Sequence, residues 1–176
     1  LIRNADLAMY QAKIQGKNRY VFCTEEMKEN DLTTQKLSAD LSMALAREEF
    51  ILHYQPQVDL LTNEISGVEA LIRWMHPTKG LISPEIFIPL AEKNNLIDSI
   101  GEWVLQEATR QNKKWQDMGL PTINVAVNLS AAQIRSLSIV EKIKKITKDT
   151  GRDPKYIELE VTESIAIDDD DVVLDI

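Results

Sequence analysis

The chain is poor in the residues from which several familiar kinds of site are built. Its single cysteine, Cys23, rules out an intrachain disulfide framework and a cysteine-rich zinc site, and fits a reducing compartment. The two histidines, His53 and His76, have no Cys or Asp partner at triad or zinc spacing and read as structural. Positive charge is also short: 20 Lys and Arg against 28 Asp and Glu give a formal net charge of −8, which argues against a nucleic-acid polymer as partner. No apolar run approaches the roughly 20 residues of a membrane-spanning helix. Neither a GxGxxG fingerprint nor a P-loop occurs, so a dinucleotide-binding fold has no support. The opening Leu1-Ile2-Arg3-Asn4 resembles neither an initiator segment nor a signal peptide, and the chain is expected to be part of a longer one.

What is present has the balance of a soluble globular protein, 44% hydrophobic and 27% charged. Ala5 to Gln15 has a helical pattern, with Asn4 placed to cap it and Gly16 to end it in the left-handed conformation. Arg19 to Cys23 reads as a short strand. From Thr24 to Arg47 runs a charged stretch in which Leu37, Leu41, Ala44 and Leu45 share one helical face. After Glu49 strands and helices alternate. Strands are expected at Phe50 to Val58, Ile65 to Trp74, Thr122 to Ser130 and Tyr156 to Thr162. Helical segments begin near Pro84 and Pro89, a long helix covers Ile97 to Met118, and Ser130-Ala131-Ala132-Gln133 forms a capping box that opens a helix reaching about Thr150. Strands separated by such helices imply an α/β fold with a parallel sheet, and a TIM-like βα-barrel is the better form of it. A complete barrel takes about 250 residues, so only the first half is expected here.

Side chains alternate across a strand, so residues two apart share a face. Glu69, Leu71 and Arg73 then oppose Val68, Ala70, Ile72 and Trp74; Asn124, Ala126 and Asn128 oppose Val125, Val127 and Leu129; Glu158, Glu160 and Thr162 oppose Ile157, Leu159 and Val161. Buried carboxylates cost several kcal/mol unless a cation or hydrogen bonds compensate them. All-oxygen groups at the C-terminal ends of barrel strands suit Mg²⁺ or Mn²⁺. The same residues read equally well as rim groups in water or as partners of nearby Arg and Lys. Other suggestive groups have plainer readings. Trp103 and Trp115 lie on a helix with apolar neighbours and read, with Trp74, as core rather than a base-stacking platform. Lys142, Lys144, Lys145 and Lys148 share a helix whose apolar positions are Ile139, Val140, Ile143 and Ile146, and form a solvated face.

The motifs in order resemble those of the EAL family of cyclic di-GMP phosphodiesterases. Tyr54-Gln55-Pro56 is similar to that family's opening strand, and Gly67-Val68-Glu69-Ala70-Leu71-Ile72-Arg73-Trp74 contains its namesake Glu-Ala-Leu and the Arg that follows. Asn128-Leu129-Ser130 and Glu158-Leu159-Glu160-Val161-Thr162-Glu163-Ser164 are similar to two more motifs, and together they span nearly all of Phe50 to Ile167. The resemblance implies that Glu69, Asn128 and Glu160 are metal ligands in the catalytic centre and that Glu163 steadies a catalytic loop. It further implies that Arg73 holds a substrate phosphate and that Gln55 and Leu71 line the substrate pocket. The implied reaction is hydrolysis of cyclic di-GMP to linear pGpG with two Mg²⁺ or Mn²⁺ ions. A non-catalytic receptor for cyclic di-GMP, or an interaction module, is the alternative.

The segment Ala5 to Arg19 resembles the closing helix and turn of a GGDEF domain, in which Lys13 approaches nucleotide phosphates and Lys17 stands where Arg is common. The organisation expected is therefore a GGDEF tail over 1–23, a linker helix over 24–48 and the N-terminal half of an EAL domain over 49–176. The family's later aspartate pair, Lys, Glu and Gln are not present, and Asp168 to Asp171, with no Phe-Gly after it, reads as the acidic start of a helix. This chain alone is expected to be inactive. Its open barrel edges allow a homodimer, its setting is cytoplasmic, and membrane contact would come only through upstream domains.

Overall fold

The computed structural model describes residues 2–134 and 139–161. They fall into two compact units that divide between Met43 and Ala44.

The first unit contains helix α1 (Ile2–Ile14) and most of helix α2 (Glu25–Ala44). Helix α1 starts before Asn4, which therefore lies within it and is not its cap. Gly16 takes the expected left-handed conformation, φ 99°. Arg19 to Cys23 is not a strand, contrary to the sequence reading: Tyr20 and Phe22 are 84% and 78% exposed. A strand exists through its ladder to a neighbour, and among the described residues none is paired with this segment. Helix α2 is capped by Thr24, whose Oγ1 accepts from the Met27 N–H at 3.2 Å. Leu37, Leu41 and Ala44, the face read from the spacing, are buried.

The second unit is built on a five-stranded mixed sheet of order β1-β2-β4-β5, with β3 paired to β2. Its strands are β1 (Phe50–Val58), β2 (Ile65–His76), β3 (Gly80–Ile82), β4 (Asn124–Leu129) and β5 (Ile157–Val161). β2, β4 and β5 run parallel, as expected, but β1 is antiparallel to β2. A parallel connection needs a crossover of about a dozen residues or more. The turn between β1 and β2 is far shorter, and Asp59 closes it by accepting from the backbone N–H groups of Leu61 and Thr62 at 2.8 and 3.1 Å. Those two bonds hold the Asp59 carboxyl below the usual carboxylate range. Strand β3, at three residues, is too short to carry a period-2 signal in the sequence.

Helix α3 (Pro84–Lys93) is one helix rather than two segments. Pro84 occupies its first turn, and Pro89 sits inside it at the cost of a backbone bond. Burial of Phe87 and Ala91 on the same helix outweighs that loss. Helix α4 (Ile97–Asp117) buries Ile97, Ile100, Gly101, Val104, Leu105 and Ala108, a stripe at i, i+3, i+4, i+7, i+8 and i+11 that packs on the sheet. Its last turns hold the entry to β4: Asn112 Nδ2 donates to the Ile123 carbonyl at 3.1 Å, and buried Arg152 reaches the same carbonyl at 3.3 Å and Gln116 Oε1 at 2.8 Å. The exit of β4 is held by the capping box of helix α5 (Ala131–Ile134), where Ser130 N–H donates to Gln133 Oε1 at 3.1 Å and Gln133 N–H to Ser130 Oγ at 3.4 Å. Gly101 makes room for that Gln133 side chain, since a Cβ there would lie 1.8 Å from Gln133 Nε2. Helix α6 (Ile139–Thr150) buries Ile139 and Ile146, while Lys142 and Lys144 pair with Glu102 and Glu141. The residues between α5 and α6, read as one continuous helix with them, lie outside the described residues.

The core gathers the aromatic residues. Trp74 and Phe87 are fully buried, and Phe50 lies 5.6 to 6.1 Å from the rings of Phe87, Trp103 and Trp74. Trp115 meets Tyr54 edge to face at 4.8 Å. Trp74 has the core role read for it, whereas Trp103 and Trp115 are only half-buried, each with one ring packed on an aromatic neighbour. His76 is buried with its Nδ1 facing the N–H groups of Thr78 and Lys79 at 3.2 and 3.3 Å, while His53 is exposed.

Candidate active site

The strand registers set the candidate residues side by side. Gln55 is the lateral partner of Glu69, Glu69 of Ala126 and Ala126 of Glu158, forming one line across β1, β2, β4 and β5. Two residues further along the parallel strands, Asn128 is the partner of Glu160. Alternation then places Gln55, Gln57, Glu69, Leu71, Arg73, Asn128, Glu158 and Glu160 on one face. The opposite face carries the buried Ala70, Val125, Val127 and Leu129. The sequence reading of which side is polar and which is packed therefore describes the sheet.

Glu69, Asn128 and Glu160 come from three adjacent strands. Asn128 Nδ2 donates to Glu69 Oε1 at 2.7 Å, and Glu160 Oε1 accepts from Gln57 Nε2 at 3.5 Å. Glu69 and Glu160 are half-buried and Asn128 is exposed. Burial, followed by the negative charges of Glu69 and Glu158, pushes the Glu160 carboxyl above its usual range, and the bond from Gln57 opposes this only in part. Among the described residues no three His, Cys, Asp or Glu side chains converge tightly enough to form a metal cage by themselves. The donor set nevertheless fits a hard divalent cation: two carboxylates and a carboxamide, all offering oxygen, with a like-charge repulsion that a cation would relieve.

Arg73 is half-buried and its Nη1 donates to the adjacent Ile72 carbonyl at 2.9 Å. With Leu71, Asn128 and Ser130 it lines a cavity of about 410 Å³ bounded by α3 and α4. Glu69 and Glu160 do not line that cavity. Gln55 is exposed on the edge strand beside Glu69, and Glu163 lies outside the described residues. Tyr54, the first residue of the Tyr-Gln-Pro motif, faces away from the site, and burial raises its phenol strongly. The residue that sequence reasoning missed is Gln57. The period of two from Gln55 puts it on the polar face, but only the curl of the sheet brings it to Glu160.

An α/β unit with a mixed sheet, carrying Glu-Ala-Leu on one central strand and an oxygen-rich row across its parallel neighbours, is the frame of the EAL domain. That family's model matches residues 38–175, and the chain belongs to the EAL domain family. A bifunctional diguanylate cyclase/cyclic di-GMP phosphodiesterase of Pseudomonas aeruginosa, MucR, is 47% identical over 174 residues, covering 99% of this chain and 25% of that protein. The cyclic di-GMP phosphodiesterase PdeR of Escherichia coli is 36% identical over 176 residues, covering 100% of this chain and 26% of that protein. The solved PaMucR phosphodiesterase in complex with c-di-GMP is similar with a TM-score of 0.76 at 47% identity, over 79% of this chain and 56% of that chain. The chain thus spans about a quarter of the length of these curated relatives. No helix among the described residues is long and apolar enough to cross a membrane.

Proposed function

We propose that this chain is part of a cytoplasmic protein that hydrolyses cyclic di-GMP to linear pGpG. The observation that carries the reading is the convergence of Glu69, Asn128 and Glu160 from adjacent strands, with Asn128 hydrogen-bonded to Glu69. These three residues would hold Mg²⁺ or Mn²⁺. Bound there, a pair of such ions would supply charge stabilisation for an in-line displacement and a more acidic water. Arg73 turns from the Ile72 carbonyl to hold a substrate phosphate, a role suited to its forked donors. Gln55 and Leu71 line the nucleotide's seat beside Glu69, and Glu163 steadies a loop near it. The first 23 residues are the tail of a GGDEF domain, joined through the 24–48 helix. Similarity to MucR and PdeR over 99% and 100% of the chain supports this organisation.

The test is incubation of the full-length protein with cyclic di-GMP and Mn²⁺ or Mg²⁺, with chromatographic separation of the products. pGpG as the single product is expected, and binding without turnover would turn the reading to a receptor. Arg73→Ala is expected to raise KM roughly 10- to 100-fold, the worth of a charged hydrogen bond to phosphate. An unchanged KM would remove Arg73 from the substrate contacts. The 176-residue chain by itself is expected to give no metal-dependent pGpG, because it corresponds to 56% of the solved MucR phosphodiesterase chain. Sedimentation would show whether the isolated chain pairs as a homodimer, and hydrolysis by it would overturn the expectation.

A further inference from the structure

Adjacent strands lie ~4.8 Å apart, so a flat sheet would separate β1 from β5 by about 14 Å. The Gln57 side chain on β1 nevertheless meets the Glu160 side chain on β5 at 3.5 Å, across β2 and β4, an approach that a sheet curled toward its polar side allows. Gln57 is half-buried, and its amide has a neighbour at each end. Its Nε2 donates to the Glu160 carboxylate, which as an acceptor dictates which end of the amide faces it. Its Oε1 lies over Gly67, the lateral partner of Gln57 on β2, so close that a Cβ on Gly67 would stand 2.8 Å from it. Gly67 has an ordinary backbone conformation with no positive φ. A Cβ there would also lie 3.3 Å from the Asn124 carbonyl oxygen, so the Gln57 amide and the neighbouring strand together crowd this position, and a larger residue would push the amide aside.

We propose that Gln57 is a positioning residue for Glu160: seated on Gly67, its amide holds one carboxylate oxygen and leaves the other to face the cation shared with Glu69 and Asn128. The inference rests on the reading of those three residues as ligands. A neutral amide suits the task, since it fixes the side chain's orientation without competing as a positive charge for the site. Groups that orient a ligand in this way are worth about 10- to 100-fold in metal affinity. Gln57 touches neither Glu69 nor Asn128 in any hydrogen bond among the described residues, so its action runs through Glu160.

The test is Mn²⁺ titration of the full-length protein by calorimetry, run beside its turnover of cyclic di-GMP. Gln57→Met keeps the length of the stem and removes the donor, and is expected to weaken Mn²⁺ binding by about 10-fold or more. KM for the nucleotide should stay near wild type, and kcat should recover in part at high Mn²⁺. Gly67→Ala, which leaves Gln57 in the sequence but displaces its amide, is expected to act in the same direction. The double variant should be little worse than either single one, because both remove the same contact. Wild-type protein that binds no Mn²⁺ overturns this inference together with the proposed function. A wild type that binds Mn²⁺ and turns over, with Mn²⁺ affinity within twofold in Gln57→Met, overturns the positioning role alone.

Discussion

Replacing Glu69 by glutamine in the full-length protein is expected to lower pGpG formation on the order of 10³-fold, the scale at which removing an electrostatic stabiliser of a reacting centre is felt. The substitution keeps the shape of the side chain and an oxygen to accept the 2.7 Å bond from Asn128, so the sheet should be undisturbed. What it removes is charge, and with it a carboxylate ligand. It also removes a negative neighbour that makes the Glu160 carboxyl hold its proton too readily. The metal-free variant should therefore melt no lower than wild type, while its Mn²⁺ affinity falls with its turnover. A Glu69→Gln protein that keeps more than a tenth of wild-type turnover would remove Glu69 from the centre.

The largest effect on stability is expected at Trp74, which is fully buried between Phe50 and Phe87. Its indole Nε1 donates to the Glu49 carboxylate at 2.9 Å, and Glu49 is itself only 8% exposed, with the Arg47 guanidinium 3.8 Å away. Trp74→Ala opens a cavity worth about 3–5 kcal/mol and leaves a buried carboxylate short of a donor, which adds about 1–3 kcal/mol. Set against the ~5–15 kcal/mol of a typical domain, the sum leaves little folded protein. Trp74→Phe keeps most of the ring volume and loses only the donor, so it should cost about 1–3 kcal/mol. Urea unfolding followed by circular dichroism separates the two. Equal losses in both variants would mean that packing is not what Trp74 contributes.

Much of the site was legible in the sequence because a strand's period of two is strict. Once Ile65 to Trp74 and Thr122 to Ser130 are strands, Glu69 and Arg73 must share a face that Trp74 opposes, and Asn128 must oppose Val127 and Leu129. That the two polar rows coincide is set by the register of β2 on β4. The capping box at Ser130 was equally readable, since its two bonds depend on residues three apart. What resisted reading depends on partners distant in the chain. The direction of β1 is settled by its ladder to β2, Arg19 to Cys23 had strand-like residues without a ladder, and Pro89 looked like a helix start until burial of Phe87 is known. The contact between Gln57 and Glu160 spans 103 residues and arises from curvature, which no local pattern encodes.

The reversed direction of β1 has a practical side. Its turn to β2 stands at the end of the sheet where β2 begins, a strand's length from Arg73 near the other end. Leu60 and Leu61, 95% and 97% exposed, are displayed there on a backbone that Asp59 already holds. A dye or an affinity handle carried on that turn would sit at the end of β2 away from Arg73, leaving the phosphate seat proposed there open while reporting on the protein's whereabouts.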